Sequence, residues 1–226
     1  MYFGFNYGAI VESHQYYRIL SSTLSHQGVA HILFNMCWMA IFGYTIEKRF
    51  GTLFFAVINI WIMFLSTAMH LVYFHLRVYV LPVELGGGAI DLLWQFAIGY
   101  SAILFGILML ECISGERYVP VFGFQFPKIL IPFGYLILSQ LLAPNADMFG
   151  HLSGMACAPI LKYFGMMELR LLPRYAWIKA FEDQMYDCTK AILARGGYYY
   201  GSETIMDEFV CMCCRSKQIQ TLFDAR

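Results

Sequence analysis

Hydrophobic positions in this chain fall in long runs rather than on one face of each predicted element. No Asp, Glu, Lys or Arg occurs from Phe50 to Leu76, and none from Leu92 to Leu110. Uninterrupted apolar stretches near 20 residues match the thickness of a bilayer core. A first span is predicted from about His31 to Ile46, stopping at Glu47-Lys48-Arg49, and a second from Leu53 to about Leu76. A third, Ser101 to Cys112, is short for a bilayer and is expected to start partway down, beneath a dipping loop. Such backbone is tolerated only where protein or a wet cavity surrounds it. The fourth span covers Pro127 to Leu142 and the fifth Gly150 to about Phe164.

The polar stretches between these runs set the organisation. Residues 1–30 are mixed and polar-aromatic, 31–165 form the membrane core, and 166–226 a polar tail. Arg77 to Gly99 is irregular, broken by Pro82 and Gly86-Gly87-Gly88, and Ser114 to Phe126 is expected to be a loop. Ala143 to Asp147 reads as a tight turn, and Glu182 to Arg195 as a short amphipathic helix in the tail. The start, Met1-Tyr2-Phe3-Gly4-Phe5-Asn6, has no basic segment ahead of an apolar core and does not read as a cleavable signal.

Composition agrees with a membrane protein. Of 226 residues 59% are hydrophobic and 13% charged, and the mean hydropathy is +0.57, against about 25% charge in ordinary soluble domains. Net charge is zero, which removes any electrostatic case for nucleic acid. Lys and Arg also orient the chain. Lys48, Arg49, Arg117, Lys128, Lys162, Arg170, Arg174 and Lys179 fall on one side, with Arg18 and Arg77 on the other. The positive-inside rule puts the first set and the tail in the cytoplasm. Ser101, His151 and the segment from His26 to Asn35 then all lie toward the opposite face.

That shared face matters because of the residue types it gathers. Ser101 alone reads as a helix N-cap. His151 is an ionisable group inside a membrane, whose default reading is functional. Together they offer a hydroxyl and a base to take its proton. Gly150, Gly154 and Ala158 recur every four residues, as do Ala102 and Gly106, the small-residue spacing that lets helices approach closely. Ordinary helix packing would use the same spacing. His31 and Asn35 share a helix face and can donate hydrogen bonds to an oxyanion, or simply pair across the bundle. His26 and His31, five apart, are expected on different faces, with no acidic or cysteine partner nearby, so neither a metal nor another cofactor is expected. Cys211, Cys213 and Cys214 lack a second pair at metal-site spacing and read as reduced thiols.

These residues carry a resemblance. Tyr17-Arg18, His26, His31-x-x-x-Asn35, Gly43 and Glu47, then Gly99-Tyr100-Ser101, then Gly150-His151-Leu152-Ser153-Gly154, resemble the rhomboid family of intramembrane serine proteases over residues 10–165. The resemblance implies an all-α polytopic helix bundle in which Ser101 is the nucleophile and His151 the general base. His31, Asn35 and the Ser101 amide would form the oxyanion hole. Arg18, Glu47, Gly99, Gly150 and Gly154 would give structural support. The partners it implies are the lipid bilayer and single-span transmembrane substrates. An endomembrane location, in the endoplasmic reticulum or Golgi, is the one expected. The alternative is a weak or inactive scaffold that binds transmembrane helices. Two departures stand out: Ala102 replaces a glycine of the G-x-S-G pattern, and five spans are visible where the family core has six. Met1 to Gln15 is not expected to supply the family's first helix.

Overall fold

A computed structural model describes residues 2–80, 93–165 and 175–185. Two short helices open the chain, α1 (Tyr7–Val11) and α2 (Arg18–Leu24). Two long ones follow, α3 (Val29–Phe50, with a π turn at Met39–Gly43) and α4 (Thr52–Val80). Then come α5 (Ser101–Ser114), strands β1 (Tyr118–Val121) and β2 (Phe124–Pro127), and α6 (Lys128–Leu142). α7 (Met148–Ile160), extended by a π turn at Leu161–Gly165, and α8 (Tyr175–Gln184) complete the described chain. All five expected spans are helical, and among the described residues α3 and α4 are long and apolar enough to cross a bilayer.

The helices end where the backbone makes them end. Gly51 stands at φ 94°, a left-handed conformation that glycine adopts without strain, and it reverses the chain from α3 into α4. The turn is tied by the Thr52 hydroxyl donating to Glu47 Oε1 at 2.8 Å and by the Gly51 amide donating to the Glu47 carbonyl. At the far end of the bundle Asp147 caps α7, its Oδ1 accepting the Gly150 amide at 3.1 Å.

α5 is the axis of the bundle. Ten of its 14 residues are buried, among them Ile103, Ile107 and Leu110, which join Ile58 and Ile62 of α4 and Cys157 and Ala158 of α7 in one core. The approach of α5 to α7 is set by missing side chains. Any Cβ on Gly154 would run into the Ala102 carbonyl, and one on Gly106 would stand 2.9 Å from the Gly154 carbonyl. The chain's beginning does not span. Instead Phe5 exchanges two backbone hydrogen bonds with Ala97, at 2.8 and 3.1 Å, and Asn6 donates to the Gln95 carbonyl.

Several boundaries differ from those read off the sequence. α3 runs from Val29 through Glu47-Lys48-Arg49 to Phe50, because a charged triplet at the end of a span need not end the helix. The segment expected as a loop from Ser114 to Phe126 contains an antiparallel hairpin, Val119 opposite Phe126 and Val121 opposite Phe124. A helix at Tyr175–Gln184, whose Ile178 docks into the bundle core, begins ahead of the one expected from Glu182 and includes its first residues. The breakers Pro82 and Gly86 to Gly88, the rest of the helix expected to Arg195, and the cysteines Cys211, Cys213 and Cys214 lie outside the described residues.

Candidate active site

Ser101 is the first residue of α5 and His151 sits in the first turn of α7. The close approach at Gly154 brings them together: the Ser101 Oγ and His151 Nε2 are 2.8 Å apart, a hydrogen bond across 50 residues of chain. Ser101 does not cap its helix, which has no side-chain cap at all. Its hydroxyl is committed to the imidazole. The bond forms with Ala102 in place of glycine, because the tight contact falls on the Ala102 carbonyl and not on its methyl.

Each partner is fixed by groups around it. Phe105, one turn beyond Ser101, stacks on the His151 ring with centroids 4.5 Å apart. His151 is buried, and its Nδ1 has no hydrogen-bond partner among the described residues. Ahead of Ser101, the Tyr100 hydroxyl donates to Asn59 Oδ1 of α4 at 2.5 Å, and the Gly99 amide donates to the Ser22 carbonyl at 2.9 Å. Gly99 has φ 122°, and a Cβ there would stand 2.7 Å from the His31 ring. Glycine is required at that point on both counts.

His31 and Asn35 occupy the neighbouring face of α3. The His31 Nδ1 accepts the Gln27 amide at 3.3 Å, which leaves Nε2 to carry the proton, on the side that meets Gly99. Asn35 is the one buried residue of Val29–Trp38, and its amide donates to the His31 carbonyl at 2.8 Å. An amide NH2 has a second hydrogen to give. His26 and His31 are not kept apart as their spacing suggests. Their rings meet edge to face at 5.1 Å, because His26 precedes the helix and its position is not set by helical period.

Two further groups belong to this end of the bundle. Asp147 Oδ2 lies 3.1 Å from His70 Nε2, and the His70 ring stacks on Phe5 at 4.5 Å. Burial works against ionisation of Asp147, but His70 and then the Gly150 amide outweigh it and hold the carboxyl below its usual pKa. Arg18 is buried, donating to the Gly4 carbonyl at 2.8 Å and to Gln15 Oε1 at 2.7 Å. It ties α2 to the chain's first residues. Glu47 lies at the opposite end of α3, at the Gly51 turn.

Phe105, Tyr100, Asn59, His70 and Asp147 were absent from the residues singled out in the sequence. Asp147 carried a readable signal, an Asp three residues ahead of a glycine at the head of an apolar run. The others join helices far apart in the chain. Nothing local announces them.

Comparison with known proteins bears on this geometry. Residues 13–167 match the family model of the Rhomboid domain. Similar proteins include Rhomboid-like protein 15 of Arabidopsis thaliana, 31% identical over 148 residues, which are 65% of this chain and 36% of that protein. Rhomboid-related protein 4 of Homo sapiens is 30% identical over 140 residues, 61% of this chain and 42% of that one. Inactive RHOMBOID-like protein 8 of Arabidopsis thaliana is 25% identical over 191 residues, 83% of this chain and 49% of that one. The chain thus spans less than half the length of each of these relatives.

Proposed function

Since the chain belongs to the rhomboid family and is an integral membrane protein, we propose that it is an intramembrane serine endopeptidase working through Ser101 and His151. The observation that carries this reading is the 2.8 Å hydrogen bond between the Ser101 hydroxyl and the His151 imidazole, at the head of two close-packed helices.

In this reading Ser101 Oγ attacks the carbonyl carbon of a substrate peptide bond while its proton passes to His151 Nε2. The resulting oxyanion accepts hydrogen bonds from His31 Nε2–H, from the Asn35 amide and from the Ser101 backbone N–H, which lies in the first helical turn and has no partner four residues back. His151 then gives its proton to the leaving amine, and water repeats the sequence on the acyl-enzyme. Phe105 holds the imidazole plane through this exchange. The substrates are single-span transmembrane proteins, consistent with a family whose members act on transmembrane partners in the bilayer. Lys and Arg asymmetry supports a cytoplasmic tail, and the endoplasmic reticulum or Golgi is our proposed location.

A second reading, a non-catalytic scaffold for transmembrane helices, is favoured by one finding, the likeness to a relative whose name marks it inactive. A fluorophosphonate probe separates the two. Labelling that needs both Ser101 and His151, together with cleavage of a co-expressed transmembrane substrate lost in Ser101→Ala, supports the protease. Absence of labelling in the natural chain, folded and in lipid, supports the scaffold.

A further inference from the structure

The hairpin between α5 and α6 is built in a way that water does not explain. From Tyr118 to Pro127 it holds four aromatic residues and no charged one. Its register places Val119, Val121, Phe124 and Phe126 on one face, since opposed residues share a side and alternate ones change it. Its tip is Phe122-Gly123, with φ 48° and 83°. Both central residues are left-handed, the geometry of a two-residue turn that normally takes Asn, Asp or Gly first. A phenylalanine in that conformation is strained, and here it is also 97% exposed, with Phe124 78% exposed. An isolated two-stranded hairpin is marginal in water even without those costs.

What lies beside the hairpin indicates what covers it. β2 runs through Pro127 straight into α6, whose Ile129, Phe133, Ile137 and Leu141 recur every four residues and are all exposed. That stripe lies on a short apolar helix of an integral membrane protein, where an exposed apolar face is suited to lipid. At the junction the charge of Lys128 is paired, its ammonium 2.8 Å from Glu111 Oε1, and the exposed apolar residues of the hairpin and of α6 lie on either side of it. The hairpin lies at the end of α5 remote from Ser101, a 14-residue helix and so about 20 Å away. That is the distance from a site in the bilayer to its far boundary. Arg117 and Tyr118 stand exposed at the hairpin's base, residue types suited to the headgroup level.

We propose that the β1–β2 hairpin lies in the bilayer interface of the leaflet opposite the candidate active site, with Phe122, Phe124 and Phe126 among the upper acyl chains. The lipid layer would offset the strain at Phe122 and hold the connection between α5 and α6. The proposal rests on the membrane placement of the chain and not on its proteolytic activity, so an inactive Ser101 leaves it standing.

The test uses the full chain in phosphatidylcholine vesicles. Phe122→Trp is placed in a background in which Trp38, Trp61, Trp94 and Trp177 are Phe, and helix content by circular dichroism checks the fold. As a second route, Phe122→Trp is made in the otherwise unchanged chain and its emission taken as the difference from the parent. The expected result is blue-shifted emission from the introduced indole, with about half of it lost to brominated lipid and little to aqueous iodide, as an interfacial aromatic should show. Quenching by iodide and not by brominated lipid would overturn the proposal. Shielding from both quenchers would overturn it too, pointing instead to a protein cover, and dependence on protein density in the vesicle would identify a second copy.

Discussion

α3 and α5 both read as apolar spans in the sequence, yet they are opposites in the fold. Over Val29–Trp38 the buried residue is polar, Asn35, while Val29, Ile32, Leu33, Phe34 and Met36 face outward. Over Ser101–Ser114 the apolar residues are the ones enclosed. In lipid an outward leucine costs nothing, so hydrophobicity does not say which way a helix faces. An inward asparagine does, because a polar group in hydrocarbon is expensive unless protein satisfies it. Over Val29–Trp38, α3 can therefore turn a polar side chain inward from a stretch whose large apolar residues face outward. α5, surrounded by protein, can be short and begin below the surface.

The comparison can be broken first at the α5–α7 contact on which the proposed chemistry depends. Replacing Ser101 or His151 by Ala should lower cleavage of a transmembrane reporter by on the order of 10⁴-fold or more, with helix content unchanged. Gly154→Val acts on the same enclosed helix through packing. Its side chain meets the Ala102 carbonyl, so the helices must part, at a cost of about 3 kcal/mol or more. Thermal unfolding in detergent should show the loss, and probe labelling of Ser101 should go with it.

α3 sharpens the contrast within one helix. Asn35→Ala should reduce turnover by about 10²-fold with little change in apparent substrate affinity, as for a lost oxyanion donor. Leu33→Ala, two residues away and exposed, should leave stability within about 0.5 kcal/mol. Similar losses from both variants would mean that α3 has no distinct inner face.

The smallest effect expected is in acid. Asp147 has a folded-state pKa below its ordinary value, so its contribution is full above the ordinary carboxylate range near about 4 and is lost as pH falls through the depressed value. Asp147→Asn keeps an oxygen to accept the Gly150 amide but removes the charge beside His70. The variant should be less stable at neutral pH and converge with the natural chain at low pH, read from unfolding midpoints across a pH series. A constant gap at every pH would assign Asp147 to capping alone.

The apolar helices, the Ser101–His151 pair and the His31–Asn35 face were legible in the sequence because each depended on run length, residue type or helical spacing. Which neighbours hold them was not. Tyr100 reaching Asn59, Phe105 covering His151 and Asp147 meeting His70 each require the rotation of one helix against another. In a soluble helix the apolar stripe would give that rotation. Runs that are apolar all round carry no such stripe. The hairpin was hidden for another reason: Phe122 stands where such a turn normally has Asn, Asp or Gly, and Pro120 and Pro127 in its strands argue against a sheet unless the strands are edges.

The pairing of Phe5 with Ala97 has a consequence for the order in which the molecule assembles. The neighbouring bond from Asn6 to Gln95 closes a loop of 89 positions, and such closure is favourable only once the helices between have drawn its ends together. The segment around Gln95 to Ala97, ahead of Ser101, should therefore settle after the bundle has formed. On refolding into lipid, helix content should return first and the proposed probe labelling of Ser101 later.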